Sequence, residues 1–486
     1  MNNPFYITTT LPYVNNDPHV GFAMEIIRAD AIARFKKEQG CEVFFNTGTD
    51  EHGLKLYQAA AKEGIAVQEY VDRYATTFRG LVALLGISPD AHFIRTTDPH
   101  HITAAQEFWK RCADRGYIYK KNYEAKYCVG CELEKTDSEL NDAGRCPIHP
   151  DRDIEIINEE NYFFAYSKVA DKLQAFYDAT PDFVIPDYRY NEMKAFLTRG
   201  LQDFSISRLK AKMPWGIEVP GDEAHVMYVW FDALVNYIST LGWPEDTETF
   251  EKYWKDGTPV QYCGKDNTRQ QSSMWQAMLL AADLPTSRHI IVNGFINSGG
   301  QKMSKSLGNV ISPYDVVDAF NDVAGDLSHD VLRYYLLRHM NSFEDADMTM
   351  ESIKDAYQSH LANGLGNLAS RILTLSATHC DVFEGLPKTE LGEKVAASME
   401  AFDIQKAMNT IWESVGELDT KIALEKPFSV IKTDVEEGKR MITSLVQELY
   451  TIAVVLAPYM PETSTKLIEL IRSNKKPETP LFARLG

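Results

Sequence analysis

The sequence predicts an α/β fold: a parallel sheet interrupted by an insertion and followed by an all-α bundle. Three observations predict it. Strand-like and helix-like stretches alternate at the start of the chain, the order that builds parallel sheets with ligands at the strand C-terminal ends. A cysteine–histidine cluster marks a middle stretch of different character. Toward the C-terminus, apolar residues recur three and four apart, as on the core faces of helical bundles.

Phe5-Tyr6-Ile7-Thr8-Thr9-Thr10 is β-rich, and Pro12, Asn15, Asn16, Asp17 and Pro18 are turn formers. From His19 the pattern turns helical through Ile26, Ile27, Ala31 and Phe35. A second strand, Glu42-Val43-Phe44-Phe45-Asn46, runs into Thr47-Gly48-Thr49-Asp50-Glu51-His52-Gly53 and a helix from Leu54. From about Gly116 to Gly221 the chain is rich in charge and reads as an insertion. Sheet-like sequence returns at His225-Val226-Met227-Tyr228-Val229-Trp230, then at Val260-Gln261-Tyr262-Cys263 and His289-Ile290-Ile291-Val292. From about Ser352 the sequence is helical. Ile404, Met408, Ile411, Val415, Leu418 and Ile422 make one core stripe, and Met441, Leu445, Leu449, Ile452 and Leu456 make another.

The 486 residues suffice for several domains around large cores. No apolar run has the length of a membrane span, and the N-terminus has neither the basic nor the apolar part of a secretory signal, so a cytoplasmic location is expected. The net charge of −19 argues against a general nucleic-acid coat, whose binding rests on neutralising phosphates. It leaves room for a local footprint on one folded RNA. With seven cysteines and no secretory signal, disulfides are not expected. Cys41, Cys112, Cys263 and Cys380 read as small buried hydrophobes.

Three motifs carry chemistry. Lys302-Met303-Ser304-Lys305-Ser306 follows Gly299-Gly300 and precedes Leu307-Gly308-Asn309. Two lysines three apart on a glycine-flanked loop can close over a polyphosphate and meet negative charge as it develops. His19-Val20-Gly21-Phe22 stands at a strand-to-helix junction. There Gly21 permits close approach of a nucleotide, the helix start offers N–H groups to phosphate, and His19 adds a side-chain donor. Cys128-x-x-Cys131 and Cys146-x-x-His149 are two short-reach pairs that can converge on Zn²⁺. With all four positions filled by protein, the site is structural.

The first two motifs resemble the signatures of the class I aminoacyl-tRNA synthetases. Leu11-Pro12-Tyr13-Val14-Asn15, Thr47-Gly48-Thr49-Asp50-Glu51-His52-Gly53, Trp230-Phe231-Asp232-Ala233 and Gly264-Lys265-Asp266 occur in order with them. The set is similar to the methionyl branch of that family across essentially the whole chain. The resemblance implies a Rossmann-type catalytic domain in two halves, 1–115 and 223–320, split by a connective insertion at 116–222. A linking stem-contact region at 321–355 and a helical anticodon-binding domain at 356–486 follow. It implies ATP-dependent attachment of L-methionine to tRNA(Met) through methionyl-adenylate, with Mg²⁺ accompanying ATP. A monomer is expected, because no further domain follows the bundle.

By the same resemblance His19, Lys302 and Lys305 are catalytic, and His19, Gly21, Gly264, Asp266 and Lys305 bind ATP. Leu11, Tyr13, Asp50, Trp230, Ala233 and Tyr237 surround methionine; Asp50 suits its ammonium and the aromatic rings suit its thioether. Arg208 is expected to reach the signature loop. Asn363 to Arg371 resembles the anticodon-reading helix, with Asn367 and Arg371 on one face. Phe428 stands where a stacking tryptophan is usual.

Two positions depart from the family. Phe22 replaces the second signature histidine, and Gln270-Gln271 replaces a Phe-His pair. The alternatives are a class I synthetase for another amino acid and a catalytically silent tRNA- or nucleotide-binding relative. Amino-acid-dependent pyrophosphate exchange separates all three.

Overall fold

The structure, a computed structural model, describes residues 3–131, 133–303, 308–381 and 390–486. Its centre is a six-stranded sheet. The strands are β1 (Pro4–Thr9), β2 (Glu42–Thr49), β3 (His92–Arg95), β4 (Val184–Ile185), β5 (Thr258–Gly264) and β6 (His289–Asn293). They lie in the order β3-β2-β1-β5-β6-β4, every neighbouring pair parallel. The order turns back between β1 and β5. A crevice opens there beyond the strand C-terminal ends, where such sheets bind ligands.

Helix α1 (Val20–Glu38) is buried nearly all round, between the sheet and the helix Ser328–Arg338. Even its charged residues are internal. Arg28 donates to the carbonyls of Leu336, Met340, Asn341 and Ser342. Asp30 pairs with Arg34 and Arg333, and those guanidinium charges hold its carboxyl below the usual range against the opposing effect of burial. A charge in a dry interior needs such partners, so the first signature helix is fastened to the chain some 300 residues later.

The expected strands, helices and bundle stripes are present, with three differences in assignment. β4 comes from within the stretch read as an insertion, because Val184 and Ile185 pair with Ile290 and Ile291 on the edge of the central sheet. The adjoining helix Ala170–Ala179 packs through Leu173 and Tyr177 into the same core as Trp275 and Met278. The stretch His225 to Trp230 is not a central strand. Asp222–Met227 pairs antiparallel with Ser207–Leu209 and Glu218–Val219 in a small separate sheet. Tyr228 then caps a short helix, Val229–Ala233, that carries Trp230. The outer insertion is an antiparallel sheet dominated by Ile118–Cys128 against Glu155–Phe164.

Ile404, Met408, Ile411, Val415, Leu418 and Ile422 are all buried on the helix Ile404–Glu425. On Val435–Val455 the stripe begins one residue late: Ile442 is buried and Met441 only half-buried. The helix Pro461–Arg472 returns to the linking region, where Asp330 accepts from the Thr463 N–H and hydroxyl, both at 2.7 Å. Among the described residues, no helix is long and apolar enough to cross a membrane.

Candidate active site

Two cavities adjoin at the crevice and share Thr10, Phe22 and Asn267. The first, of about 220 Å³, is lined by all six residues expected around methionine: Leu11, Tyr13, Asp50, Trp230, Ala233 and Tyr237. The turns after β1 and β2 are zipped together, since Val14 N–H donates to the Asp50 carbonyl and Asp50 N–H to that of Pro12. This sets Leu11 and Tyr13 beside Asp50. The following helix, Leu54–Glu63, is capped by Gly53 at φ +126°, so Asp50 is not its cap and faces the cavity.

Contacts unseen in the sequence hold this wall. Arg95 grips both Glu51 carboxylate oxygens at 2.7 and 2.8 Å, and the Trp215 indole donates to the Glu51 carbonyl. His52 Nδ1 lies 3.2 Å from Asp232 Oδ2, both buried. Burial raises the Asp232 carboxyl pKa, and His52 opposes the rise. This pair ties the Thr47–Gly53 turn to the Trp230–Ala233 helix. The two glutamines part company. Gln271 enters the first cavity and donates to the Tyr237 hydroxyl, while Gln270 lines a separate recess with Trp230, Tyr228 and Arg208. Arg208 lies against the Tyr228 ring at 4.4 Å and donates to Ser205 Oγ and the Ser207 carbonyl.

The second cavity, of about 290 Å³, gathers His19, Gly21, Gly264, Asp266 and Lys302. His19 caps α1, its Nδ1 accepting the Gly21 N–H at 3.0 Å. A Cβ on Gly21 would stand 2.7 Å from the imidazole, so the cap requires glycine. Burial, with the nearby charge of Lys302, lowers the His19 pKa to about 4, and the ring is neutral. A backbone N–H can only donate, so Nδ1 is bare and the ring hydrogen sits on Nε2. His19 is therefore a donor through Nε2. Phe22 stacks on His19 with centroids 4.3 Å apart and meets the Phe78 ring edge-on.

Glu25 is a further member of this cavity. It accepts the Thr10 N–H at 2.6 Å, and burial pushes its carboxyl up to about 8. A lone acid in the apolar run Ala23 to Ile27 was the available signal. Burial raises Asp266 too, with Lys302 and Lys265 opposing. The Lys302 ammonium lies 4.9 Å from the Phe295 ring centroid. Lys305, with Ser304, Ser306 and Leu307, lies outside the described residues. The flanking Gly299, Gly300 and Gly308 all take φ between +63° and +74°, which favours glycine.

The four sequence-assigned metal ligands come together. The Sγ atoms of Cys128, Cys131 and Cys146 and a ring nitrogen of His149 all lie within 4.8 Å of one another. The closest pair is Cys131 Sγ with His149 Nδ1 at 3.3 Å. Three soft thiols and an imidazole nitrogen converging on one point fit a tetrahedral cation. Cys131 also lines the first cavity, and Lys55 Nζ donates to the Gly130 carbonyl at 2.7 Å, so the knuckle backs that wall.

In the bundle, Asn367 is exposed at the start of the helix Asn367–His379. Arg371, one turn on, pairs with Asp419 at 2.6 Å. Phe428, on the short helix Pro427–Val430, is 42% exposed, with ring surface open to solvent.

The family model described as tRNA synthetases class I (M) matches residues 5–153 and 149–373. A methionine–tRNA ligase of Rhizobium meliloti is 38% identical over 96% of this chain and 92% of its own length. One of Rickettsia felis is 36% identical over all of this chain and 95% of its own. The solved structure of the Mycobacterium tuberculosis methionyl-tRNA synthetase in complex with methionyl-adenylate superposes with a TM-score of 0.89. That match is at 34% identity and covers 99% of both chains.

Proposed function

The chain belongs to the methionyl class I tRNA synthetases, and we propose how its own residues divide that family's reaction. The activity is ATP-dependent ligation of methionine to tRNA through methionyl-adenylate. The observation that carries the division of labour is the shared wall of the two cavities at Thr10, Phe22 and Asn267. An amino acid in the first meets a nucleotide in the second across that wall.

In this reading Asp50 takes the methionine ammonium, and Leu11, Tyr13, Trp230, Ala233 and Tyr237 enclose the side chain. The carboxylate faces the α-phosphorus of ATP. It is already ionised, so the step needs no general base, only alignment and charge stabilisation. His19 donates through Nε2 to a phosphate oxygen, and Lys302 and Lys305 neutralise the leaving pyrophosphate. Gly21, Gly264 and Asp266 line the rest of the nucleotide. Mg²⁺ arriving with ATP supplies further positive charge to the phosphates. A ribose hydroxyl of the terminal tRNA adenosine then attacks the methionyl carbonyl, the acyl–phosphate bond breaks, and AMP leaves.

Asn367, Arg371 and Phe428 contact the anticodon of tRNA(Met). Cys128, Cys131, Cys146 and His149 hold a structural Zn²⁺, which would fasten the knuckle behind the methionine wall. The domain limits 1–115, 116–222, 223–320, 321–355 and 356–486 serve as the working division, with β4 contributed to the central sheet from the second span.

Pyrophosphate exchange across the amino acids tests the reading. Methionine alone should support rapid exchange, and tRNA(Met) should then be charged. Faster exchange with another amino acid, or none with any, contradicts it. Protein prepared without chelator should carry about one zinc per chain, and metal analysis finding none would remove the zinc assignment.

A further inference from the structure

We propose that Gln261 is a positioning residue: through a one-way relay of buried amides it turns the Tyr237 hydroxyl hydrogen toward the substrate side chain, giving preference for a thioether over a hydrocarbon. The proposal rests on the reading of the Tyr237 cavity as the methionine pocket.

One backbone group fixes the first amide of the relay, and the placement of the next two continues it. The Ser287 N–H donates to Gln276 Oε1 at 3.0 Å. A backbone N–H can only donate, so the atom it meets is the amide oxygen and not the nitrogen. Gln276 Nε2 then faces the Gln271 carbonyl at 2.8 Å, which can only accept, and the two assignments agree. The same Nε2 donates to Ser287 Oγ at 3.1 Å. That hydroxyl passes its own hydrogen to Gln261 Oε1. Gln261 therefore presents Nε2 to Gln271 Oε1, and Gln271 presents Nε2 to the Tyr237 hydroxyl oxygen.

All five residues are at most 3% exposed. Water cannot rescue a reversed amide there. A flip of Gln261 or Gln271 alone would set donor against donor or acceptor against acceptor between them, a costly arrangement in a dry interior. The Tyr237 hydroxyl accepts from Gln271, has the Asn236 side chain beside it, and lines the cavity, where its hydrogen can meet a substrate atom. Its backbone is held as well, since the Tyr6 hydroxyl donates to the Tyr237 carbonyl at 2.9 Å. A thioether sulfur accepts such a hydrogen weakly, and a methylene in the same place cannot. Gln261 does not line the cavity, so it acts only through Gln271 and Tyr237. The departure from the family at Gln271 becomes intelligible: an amide between a fixed donor and a phenol transmits direction.

The test uses the purified full chain and compares kcat/KM for pyrophosphate exchange with methionine and with norleucine, its sulfur-free isostere. Tyr237→Phe and Gln261→Met should each lower the methionine-to-norleucine ratio about tenfold, and Ser287→Ala about threefold. A merely structural role lowers both constants together and leaves the ratio unchanged. If Tyr237→Phe lowers the ratio while Gln261→Met and Ser287→Ala leave it unchanged, the relay is overturned and the pocket reading stands. If Tyr237→Phe leaves the ratio unchanged, Tyr237 is not the thioether donor and the proposal falls with that reading. Should Gln261→Met fail to fold, Ser287→Ala, which deletes a single oxygen, decides.

Discussion

The crevice and the helical bundle present their polar groups in opposite ways. In the crevice, His19, Glu25 and Gln271 are locked by neighbours before any ligand arrives, and Gln271 is 1% exposed. In the bundle, Asn367 and Phe428 face solvent, and Arg371 is held by one surface carboxylate. The difference teaches where each part draws its effect. Fixed dipoles in a dry site stabilise developing charge strongly, because they need no reorganisation during the reaction. Surface groups must win their contacts from water and do so over a broad footprint. One replacement in the crevice should therefore damage adenylate formation severely, and one in the bundle should damage only tRNA charging, and less.

The strongest break of this contrast is Lys305→Ala. It should lower adenylate formation by about two to three orders of magnitude with little change in methionine affinity, as a contact made mainly in the transition state does. Lys302→Ala should move the same way. Near-normal pyrophosphate exchange in either variant would remove that lysine from the assigned role.

Arg371→Ala should lower charging of tRNA(Met) about tenfold while exchange stays within about twofold of the parent. Equal losses in the two assays would mean that the Arg371–Asp419 pair supports the bundle instead of reading the anticodon.

A milder effect distinguishes the buried acids of the crevice from surface ones. The Glu25 pKa is raised to about 8 in the folded chain, so the native state binds its proton more tightly than the unfolded state does. The associated stability is complete below the unfolded carboxyl pKa and is lost as pH rises through about 8. The Tm of the unliganded protein should therefore fall between pH 5 and pH 8. Glu25→Gln, which keeps the acceptor for the Thr10 N–H, should flatten that fall by about 3 °C. Parallel pH profiles for the two proteins would contradict the assignment.

Legibility followed the range of the interactions. β1, α1 and β2 were readable because strand and helix periods are local, and so was the stripe from Ile404 to Ile422. β4 was not: two residues carry no period, and their place is decided by Ile290 and Ile291, over a hundred residues on. His225 to Trp230 has strand composition, but its partners Ser207–Leu209 lie in a different sheet. Most of the cavity residues named from the sequence were readable because they sit in compact motifs. The pair His52–Asp232, the relay from Ser287 to Tyr237 and Glu25 were not, since each acquires meaning only from a distant partner or from burial.

Phe22 gives the smallest expected effect and the closest contact between packing and chemistry. Loss of one donor to developing charge typically costs about 3 kcal/mol when nothing replaces it. Here the His19 cap leaves Nε2 free to donate, and the Phe22 ring, braced by Phe78, fixes the plane in which it does so. We propose that holding His19 rigid compensates in part for the absence of a second signature histidine. Phe22→His should then change exchange by less than about threefold in either direction, because the new ring adds a donor but weakens the brace. Phe22→Ala should do more harm, about tenfold, by freeing the imidazole. A gain of more than tenfold in Phe22→His would mean that the phenyl ring is a handicap. A harmless Phe22→Ala would mean that it braces nothing, and the crevice would then resemble the bundle, where the Phe428 ring stands exposed to solvent.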